Sequence, residues 1–448
     1  MSSLRHWFAE DTASSDEYYS RPVPLHKRLG FKDPALIWTG FAIAYICAVI
    51  GGTIQTGLGM PNAIYAILLG NFTLFIYSSL LAYISGKWGL NFPLMVKAVF
   101  GAKGAIVPTL ILAFLVTGWY AFQTWLTADI LRAAFDLQQT AGLVAITILI
   151  GIVYAMPTVF GVKSMSKYMQ IALPGMIIFA LYYLFVKVVP AGSDILSRPG
   201  SGEMAFMTGV ALTWSTFVVS GTMTGDIVRY TRSGTQAVGV TAVAFLLANS
   251  VFMLLGAFIS AAINNPEVEY FFDSSSIFVV LPLVIVAFLS NGSTCDACLY
   301  NATMGFTNSF RNLTWRSAAV FGMTIGLIAA ATGLIGNIVN FLILLGLLVP
   351  PIGGAIIADY YFIKQGRYFE PDEGLPFNWA AIVSVIAGVI SGYYVNVAYP
   401  NFLFGVAGIA VTFAAYLILY SWFGSGSNRQ QAVKSERDQE TRAATVER

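Results

Sequence analysis

The chain has 448 residues, of which 57% are hydrophobic and only 10% are charged, and its mean hydropathy is +0.72. Soluble globular domains carry about 25% charged residues, so this composition excludes a soluble protein of this length. The formal net charge of +2 is small. We therefore expect an all-α polytopic membrane protein that lies in a lipid bilayer and has no nucleic-acid partner.

Twelve segments are long and apolar enough to be membrane-spanning helices, each of which needs about 20 apolar residues. The predicted spans, numbered 1 to 12 in chain order, cover residues 35–58, 61–85, 105–131, 142–162, 165–189, 206–228, 236–263, 277–307, 315–336, 338–363, 377–397 and 402–423. The N-terminal tail, 1–34, is polar and contains no cleavable signal pattern, so span 1 is expected to direct insertion. The C-terminal tail, 424–448, is poor in apolar residues, and we expect it to be disordered.

Lysine and arginine residues are divided unevenly between the two sides of the predicted spans. All but three of the 24, namely Arg132, Lys187 and Arg198, lie in the two tails or beside the connections that follow even-numbered spans. Short cytoplasmic loops carry the excess of cations in membrane proteins. Both termini are therefore predicted to be cytoplasmic, in the plasma (inner) membrane, and the acidic, cation-free segment at 264–276 is predicted to be external.

Three cysteines, Cys47, Cys295 and Cys298, lie within predicted spans, which disfavours an external disulfide framework. Cys295 and Cys298 have CxxC spacing, but a metal site needs further ligands. The only two histidines, His6 and His26, lie in the N-terminal tail. We interpret the cysteines as packing residues rather than as a metal or redox site.

Glycine and hydroxyl residues interrupt span 1 in VIGGTIQTGLGMP (49–61) and span 6 in STFVVSGTMTGDIVRY (215–230). One interpretation is close helix packing through small residues. We favour discontinuous helices that build a midplane site, because the breaks are matched and five spans apart. Because five is an odd number of spans, the second repeat enters the membrane from the opposite side to the first. This predicts a transport core (35–363) of two inverted repeats at about 35–189 and 206–363. Spans 11 and 12 (377–423) follow this core.

Span 8 contributes a third polar element in LSNGSTCDACLYN (289–301). Ser290, Ser293 and Thr294 are spaced i, i+3 and i+4, so their hydroxyls share one helix face and suit a small hard cation such as Na+. Alternatively, each hydroxyl bonds the carbonyl four residues earlier. Asp296 is costly at membrane depth, and we interpret it as an organiser of the hydroxyls rather than as a proton carrier or a partner of a neighbouring helix.

Several stretches, in order from span 1 to span 10, resemble the nucleobase:cation symporter family 1, and within it the bacterial cytosine and purine permeases. They include GTIQTGL (52–58), GWYAFQTW (118–125), SGTMTGDIVRY (220–230), STCDACLY (293–300) and VPPIGGAIIADYY (349–361). The resemblance implies a LeuT-like 5+5 inverted-repeat fold with broken spans 1 and 6. It also implies secondary active import of a nucleobase-like heterocycle by alternating access, with no cofactor and with Na+ as the coupling ion; some relatives use protons.

The resemblance also implies a substrate site. Trp119 in span 3 and Phe217 at the break of span 6 match the aromatic pair that holds the flat ring, each face being worth ~1 kcal/mol beyond burial. Gln123 lies one turn beyond Trp119 and can both donate to and accept from the ring edge. The rest of the predicted substrate site comprises Thr216, Gly221 and Cys295.

A cation site follows from the same resemblance. Ser293 and Thr294 match the paired hydroxyls that bind Na+ in the family, and Ser290 stands where cytosine permeases place an asparagine. Gly40 and Ile43 lie one turn apart, near the place where span 1 would contribute backbone carbonyls. These five residues form the predicted Na+ site, with Asp296 behind it.

The sequence leaves the substrate open, because two polar positions disagree. Gln123 resembles the hydantoin and allantoin branch, whereas Cys295 replaces an asparagine that commonly reads the substrate. Cytosine, purines, uracil, hydantoins, allantoin and the hydroxymethylpyrimidine precursor of thiamine are all candidates. Two other functions are disfavoured: a channel, and an intramembrane enzyme with Asp296 and Asp359 as an aspartyl pair, since Asp359 is predicted at the cytoplasmic end of span 10.

Overall fold

A computed structural model describes residues 17–138, 141–263, 277–310, 312–333, 338–367, 376–399 and 401–422. These residues are almost entirely helical, as the apolar runs predict. The predicted external segment at 264–276 and the C-terminal tail lie outside the described residues.

Each predicted span contains a helix, and we keep the span numbers for the observed helices. The bounds for spans 1 to 12 are Lys32–Ala42 with Tyr45–Leu58, Met60–Trp88, Ile106–Phe135, Ala141–Phe160, Val162–Tyr183, Phe206–Thr222 with Gly225–Val228, Gly234–Ile263, Ile277–Ser309, Trp315–Ala331, Ile338–Ile363, Trp379–Ala398 and Phe404–Trp422. Within the described residues, nine helices are long and apolar enough to cross a membrane, or ten with the bent pair of span 1. Phe206–Thr222 and Trp315–Ala331 have only 17 residues each, so helix length does not confirm twelve crossings.

One further helix, Phe92–Phe100, lies between spans 2 and 3 and was not expected from the sequence. Its start is set by Asn91, whose side chain accepts a hydrogen bond from the backbone N–H of Leu94 at 2.9 Å. Pro93 occupies the first turn, where a proline removes no helical hydrogen bond. A nine-residue helix is too short to cross a membrane, so its apolar residues give no span signal.

Contacts between the connections define two faces of the molecule. On one face, which we call the N-terminal face, the backbone N–H of Val23 donates to Gly89 at the end of span 2. There the N–H of Val162, at the start of span 5, donates to the Glu17 carboxylate. On the opposite face, the N–H of Met60 donates to the carbonyl of Arg198. The connections that follow spans 2 and 4 therefore share a side with the N-terminal segment, as the cation distribution predicts.

Span 1 is broken, but not at the predicted place. Its two helices meet at an angle of 46° around Ile43 and Ala44, ahead of the glycine pair. Gly51 and Gly52 instead continue the helix and allow close approach to span 7. A Cβ atom on Gly51 would overlap the backbone carbonyl of Met253. The predicted position of the break is therefore wrong, and helix packing through small residues explains this glycine pair.

Span 6 is broken between Thr222 and Gly225. Phe217 therefore lies inside the longer helix, more than one turn before the break where it was expected. The hydroxyl of Thr224, in the break itself, accepts a hydrogen bond from the Trp38 indole N–H at 2.9 Å. Because Trp38 belongs to the first helix of span 1, this bond joins the two broken spans beside their breaks.

Candidate functional site

A narrow cavity of about 10 Å³, room for about one water molecule, lies among spans 1, 3, 6 and 8, beside the break in span 1, so these spans must move apart to admit a ring. Its lining residues are Phe41, Ile46, Trp119, Gln123, Thr216, Phe217, Ser220, Thr294 and Cys298. Four of the six predicted substrate residues, Trp119, Gln123, Thr216 and Phe217, are brought together here. The cavity is therefore the structure's candidate for the predicted substrate site.

Aromatic rings form two walls of the cavity. Phe217 from span 6 contacts Phe41 edge to face, with ring centroids 5.0 Å apart. Trp119 from span 3 contacts Phe122 and Phe341 in the same manner at 5.9 and 5.6 Å. These contacts fix rings from two different spans beside one space, which suits a flat aromatic ligand.

Gln123 is fully buried, and neither its Oε1 nor its Nε2 atom has a hydrogen-bond partner among the described residues. Buried polar atoms are almost always paired, and an unpaired one costs about 1–3 kcal/mol. The amide of Gln123 is therefore available to a group that enters the cavity. That group should present a donor and an acceptor on one edge, because the amide offers one of each.

Cys295 does not line the cavity, which corrects its predicted role. Its thiol lies 3.6 Å from the hydroxyl of Thr124 and 3.5 Å from the backbone carbonyl of Tyr120, so it faces the backbone of span 3. Cys298, one turn further along span 8, lines the cavity instead. All three cysteines are free and buried.

Gly221 is likewise displaced from its predicted place in the substrate site. A Cβ atom on Gly221 would overlap the hydroxyl oxygen of Ser78 in span 2, so this glycine allows spans 2 and 6 to pack closely. Its neighbour Ser220 lines the cavity in its place.

The five predicted cation ligands converge at the break in span 1. The hydroxyl of Ser290 donates to the carbonyl of Ile43 at 3.1 Å. That of Ser293 lies 2.9 Å from the carbonyl of Gly40 and 2.6 Å from the carbonyl of Ser290 on its own helix. Thr294 donates to the carbonyl of Phe41 at 3.3 Å. Because Ala44 has an extended backbone, helical bonding stops there and releases these carbonyls to side chains. Hydroxyl and carbonyl oxygens of two spans thus face each other, as a site for a hard cation requires.

Comparison with known proteins identifies the family. Residues 22–423 match the family described as permease for cytosine/purines, uracil, thiamine, allantoin. The chain belongs to this permease family. The cytosine permease of Escherichia coli strain K12 is 31% identical over 412 residues, which cover 91% of this chain and 95% of that protein. The hydantoin permease of Microbacterium maritypicum is 22% identical over 419 residues, with coverage of 87% and 85%.

The permease also resembles a solved structure over most of its length. Mhp1, a nucleobase-cation-symport-1 family transporter in a closed conformation with bromovinylhydantoin bound, has a TM-score of 0.79. It is 19% identical and covers 90% of this chain and 94% of its own. This likeness confirms the predicted LeuT-like fold.

Asp296 of the permease does not organise the hydroxyl face of span 8. Two residues beyond Thr294, it lies about 200° around the helix. Its Oδ1 accepts a hydrogen bond of 2.6 Å from Thr158 in span 4, whereas Oδ2 has no partner among the described residues. Asp296 is therefore the partner of a neighbouring helix. Asp359 binds Lys364 and Tyr416 instead, so the two carboxylates form no aspartyl pair. Membership of the permease family identifies the protein as a transporter.

Four cavity residues of the permease were not expected from the sequence, namely Phe41, Ile46, Ser220 and Cys298. Cys298 had a usable signal, because it lies four residues after Thr294 and therefore on the same helix face. Phe41 gave none, since its position depends on a break that no glycine marks.

Proposed function

We propose that this permease binds a nucleobase-like heterocycle in the cavity and imports it together with Na+ by alternating access. The observation that carries the proposal is the unpaired amide of Gln123 beside the rings of Trp119 and Phe217. A flat ring stacks on such rings, and its polar edge satisfies the amide.

The amide restricts the substrate to rings with an adjacent donor and acceptor. Lactam edges, as in uracil and hydantoins, meet this requirement, and so do ring nitrogens beside an amino group, as in cytosine and adenine. The hydroxyl of Thr216 is already bonded to the carbonyl of Leu212 at 2.8 Å, whereas both polar atoms of Gln123 are without partners among the described residues. The names of the relatives, cytosine permease and hydantoin permease, lie within this range.

Coupling between cation and substrate follows from two shared residues. Thr294 and Phe41 line the cavity, and their hydroxyl and carbonyl also belong to the candidate cation site. A cation that holds the carbonyl of Phe41 also fixes its ring, which contacts Phe217. Binding of either ligand should therefore strengthen binding of the other by the same factor.

A proton is the second candidate for the coupling ion. The observation in its favour is the Oδ2 atom of Asp296, which is buried without a partner among the described residues. A carboxyl group in that position can carry a proton. We favour Na+ because Asp296 faces span 4, away from the cavity, whereas the hydroxyls of span 8 meet the carbonyls of span 1 beside it.

We further propose that the N-terminal face is cytoplasmic and that the permease resides in the plasma (inner) membrane. Cations are concentrated on this face, where Arg28 and Arg229 bind the N-terminal segment and Lys87 donates to the carbonyl of Gly366. Cation-rich connections stay on the cytoplasmic side. Import is then movement from the opposite face towards the N-terminal face.

Thermal unfolding of the purified permease tests this function, because a ligand that binds only the native state raises the unfolding temperature. A panel of nucleobases, hydantoins and pyrimidine alcohols is measured with Na+ and with choline. We expect one class of ring to stabilise the protein, and more strongly with Na+. Phe217→Ala and Trp119→Ala should lose this stabilisation yet remain folded, whereas Trp125→Ala, in span 3 but away from the cavity, should retain it. If a ligand stabilised Phe217→Ala and Trp119→Ala as strongly as it stabilises the wild type, the proposed site would be refuted.

A further inference from the structure

A second unpaired amide lies in span 8. Asn301 is fully buried, and neither its Oδ1 nor its Nδ2 atom has a hydrogen-bond partner among the described residues. Among the buried amide side chains in the part of the chain that the structure describes, Gln123 is the only other with both polar atoms unpaired. Packing alone favours an apolar side chain at such a position, so the amide requires another explanation.

Asn301 lies on the cavity-facing side of span 8. At 100° per residue around the helix axis, Cys298 points about 40° to one side of Thr294. Asn301 points about 20° to the other side. Thr294 and Cys298 both line the cavity. The three residues therefore form one stripe along the helix.

The stripe runs from the cavity towards the N-terminal face. At 1.5 Å per residue, Asn301 is roughly 10 Å beyond Thr294 along span 8. Beyond the cavity, span 8 binds the N-terminal segment: the hydroxyl of Tyr300 donates to the carboxylate of Glu17, and Asn308, two turns after Asn301, donates to the carbonyl of Tyr19 at 3.0 Å. Asn301 thus lies between the substrate cavity and the N-terminal face, at a level that a substrate leaving towards this face must pass.

We propose that Asn301 forms a second, transient binding position for the heterocycle on its way from the cavity to the N-terminal face. The inference rests on the proposed function. Once the ring edge leaves Gln123, it needs a replacement donor and acceptor. Asn301 supplies the same pair of groups. Its amide is satisfied only while the substrate passes, so it speeds release without adding to affinity in the cavity.

The test separates rate from affinity with Asn301→Leu, which removes the polar groups at similar volume. Ligand affinity is measured in detergent, and uptake and exchange are measured in proteoliposomes. We expect affinity to change by less than about threefold and the maximal uptake rate to fall by about tenfold or more, the effect of one lost hydrogen bond. The unfolding temperature of the ligand-free protein should not fall, since an unpaired buried amide is removed.

Two further variants complete the experiment. Asn301→Gln keeps both polar groups and should recover a large part of the rate, which a purely structural role would not predict. Ser215→Ala is the control, because it also removes a buried hydroxyl without a partner among the described residues. The oxygen of Ser215 lies against Gly346 in span 10, so uptake by this variant should stay normal.

Three results would overturn the inference. Asn301→Leu could take up substrate at the normal rate, or it could lose uptake only because its unfolding temperature also falls. Its ligand affinity could also fall as far as that of Gln123→Leu. The last result would place Asn301 in the cavity site itself. Failure of the wild-type protein to bind or transport any heterocycle would instead refute the proposed function, and this inference with it.

Discussion

At the scale of single residues, stability and function make opposite demands on Gln123. Its buried amide is unpaired among the described residues, which lowers the stability of the ligand-free protein. The same amide can bond a ring edge that leucine could not bind. Substitutions at Gln123 should therefore move stability and affinity in opposite directions, a result that a packing role would not produce.

We expect Gln123→Leu to weaken ligand binding about ten- to a hundredfold, the effect of losing about 1–3 kcal/mol of hydrogen bonding. The unfolding temperature of the ligand-free protein should stay equal or rise. Titration calorimetry and thermal unfolding measure the two effects. Cys295→Ala is the matched control, because that thiol faces the backbone of span 3, and its affinity should change less than about twofold. Unchanged affinity in Gln123→Leu would show that the amide does not read the substrate.

The pair Cys295 and Cys298 shows how two kinds of sequence reasoning about the site can disagree. The family resemblance singles out Cys295, whereas the helix period singles out Cys298, which shares the face of Thr294. The structure agrees with the helix period, because the Cys295 thiol packs against span 3 and Cys298 lines the cavity. The hydroxyls of Ser293 and Thr294 could be predicted because their spacing restricts them to one face.

At the scale of helices, the spans and the break in span 6 were predictable, whereas the position of the break in span 1 was not. Apolar length alone indicates where each helix lies. The break in span 1 falls at Ile43 and Ala44, two apolar residues that give no local signal, whereas Gly51 and Gly52 give a strong signal and serve packing instead. A break of this kind is stabilised by its tertiary partners, here the hydroxyls of span 8.

Those hydroxyls give the second prediction. Ser293→Ala should raise the Na+ concentration that gives half-maximal substrate binding, by about tenfold for one lost ligand. Substrate affinity should fall most at low Na+ and recover at high Na+, since the two sites are coupled. Ser293 is preferred to Thr294 for this test because Thr294 also lines the substrate cavity.

Thr303→Ala is the control on the same helix, because that hydroxyl bonds only the carbonyl of Leu299 in the hydrogen bonds that the structure describes. Binding is measured by tryptophan fluorescence at a series of Na+ concentrations. If substrate binding by Ser293→Ala depended on Na+ as it does in the wild type, Na+ would not bind at this site. A proton carried by Asp296 would then be the leading alternative for the coupling ion.

At the scale of the whole molecule, transport requires the N-terminal face to open, and one buried carboxylate holds it closed. Glu17 accepts hydrogen bonds from the N–H of Val162 in span 5 and from the hydroxyls of Tyr230, beyond span 6, and Tyr300 in span 8. Arg229 donates to the backbone carbonyl of Glu17 at 2.7 Å. The N-terminal segment thus ties together three spans that must separate when this face opens.

Burial raises the pKa of Glu17 above its ordinary value of 4.5, and the hydrogen bonds from Tyr300 and Val162 and the charge of Arg229 offset this only in part. When the face opens and water reaches Glu17, its pKa should return towards the ordinary value. The closed state therefore binds more protons than the open state. Its extra stability is complete below pH 4.5 and is lost as the pH rises through the raised pKa.

The third prediction is that the N-terminal face opens more readily as the pH is raised above 4.5 and through the raised pKa of Glu17. Hydrogen exchange in the segment that contains Val162, corrected for the intrinsic effect of pH, measures this opening. Glu17→Gln keeps an acceptor for the N–H of Val162 but cannot ionise, so its opening should not vary with pH. Uptake that depends on this opening should show the same difference. If opening depended on pH in the same way in the wild type and in Glu17→Gln, another group would control the face. A carboxyl group that ionises on opening makes the free energy of opening depend on pH, and glutamine cannot ionise.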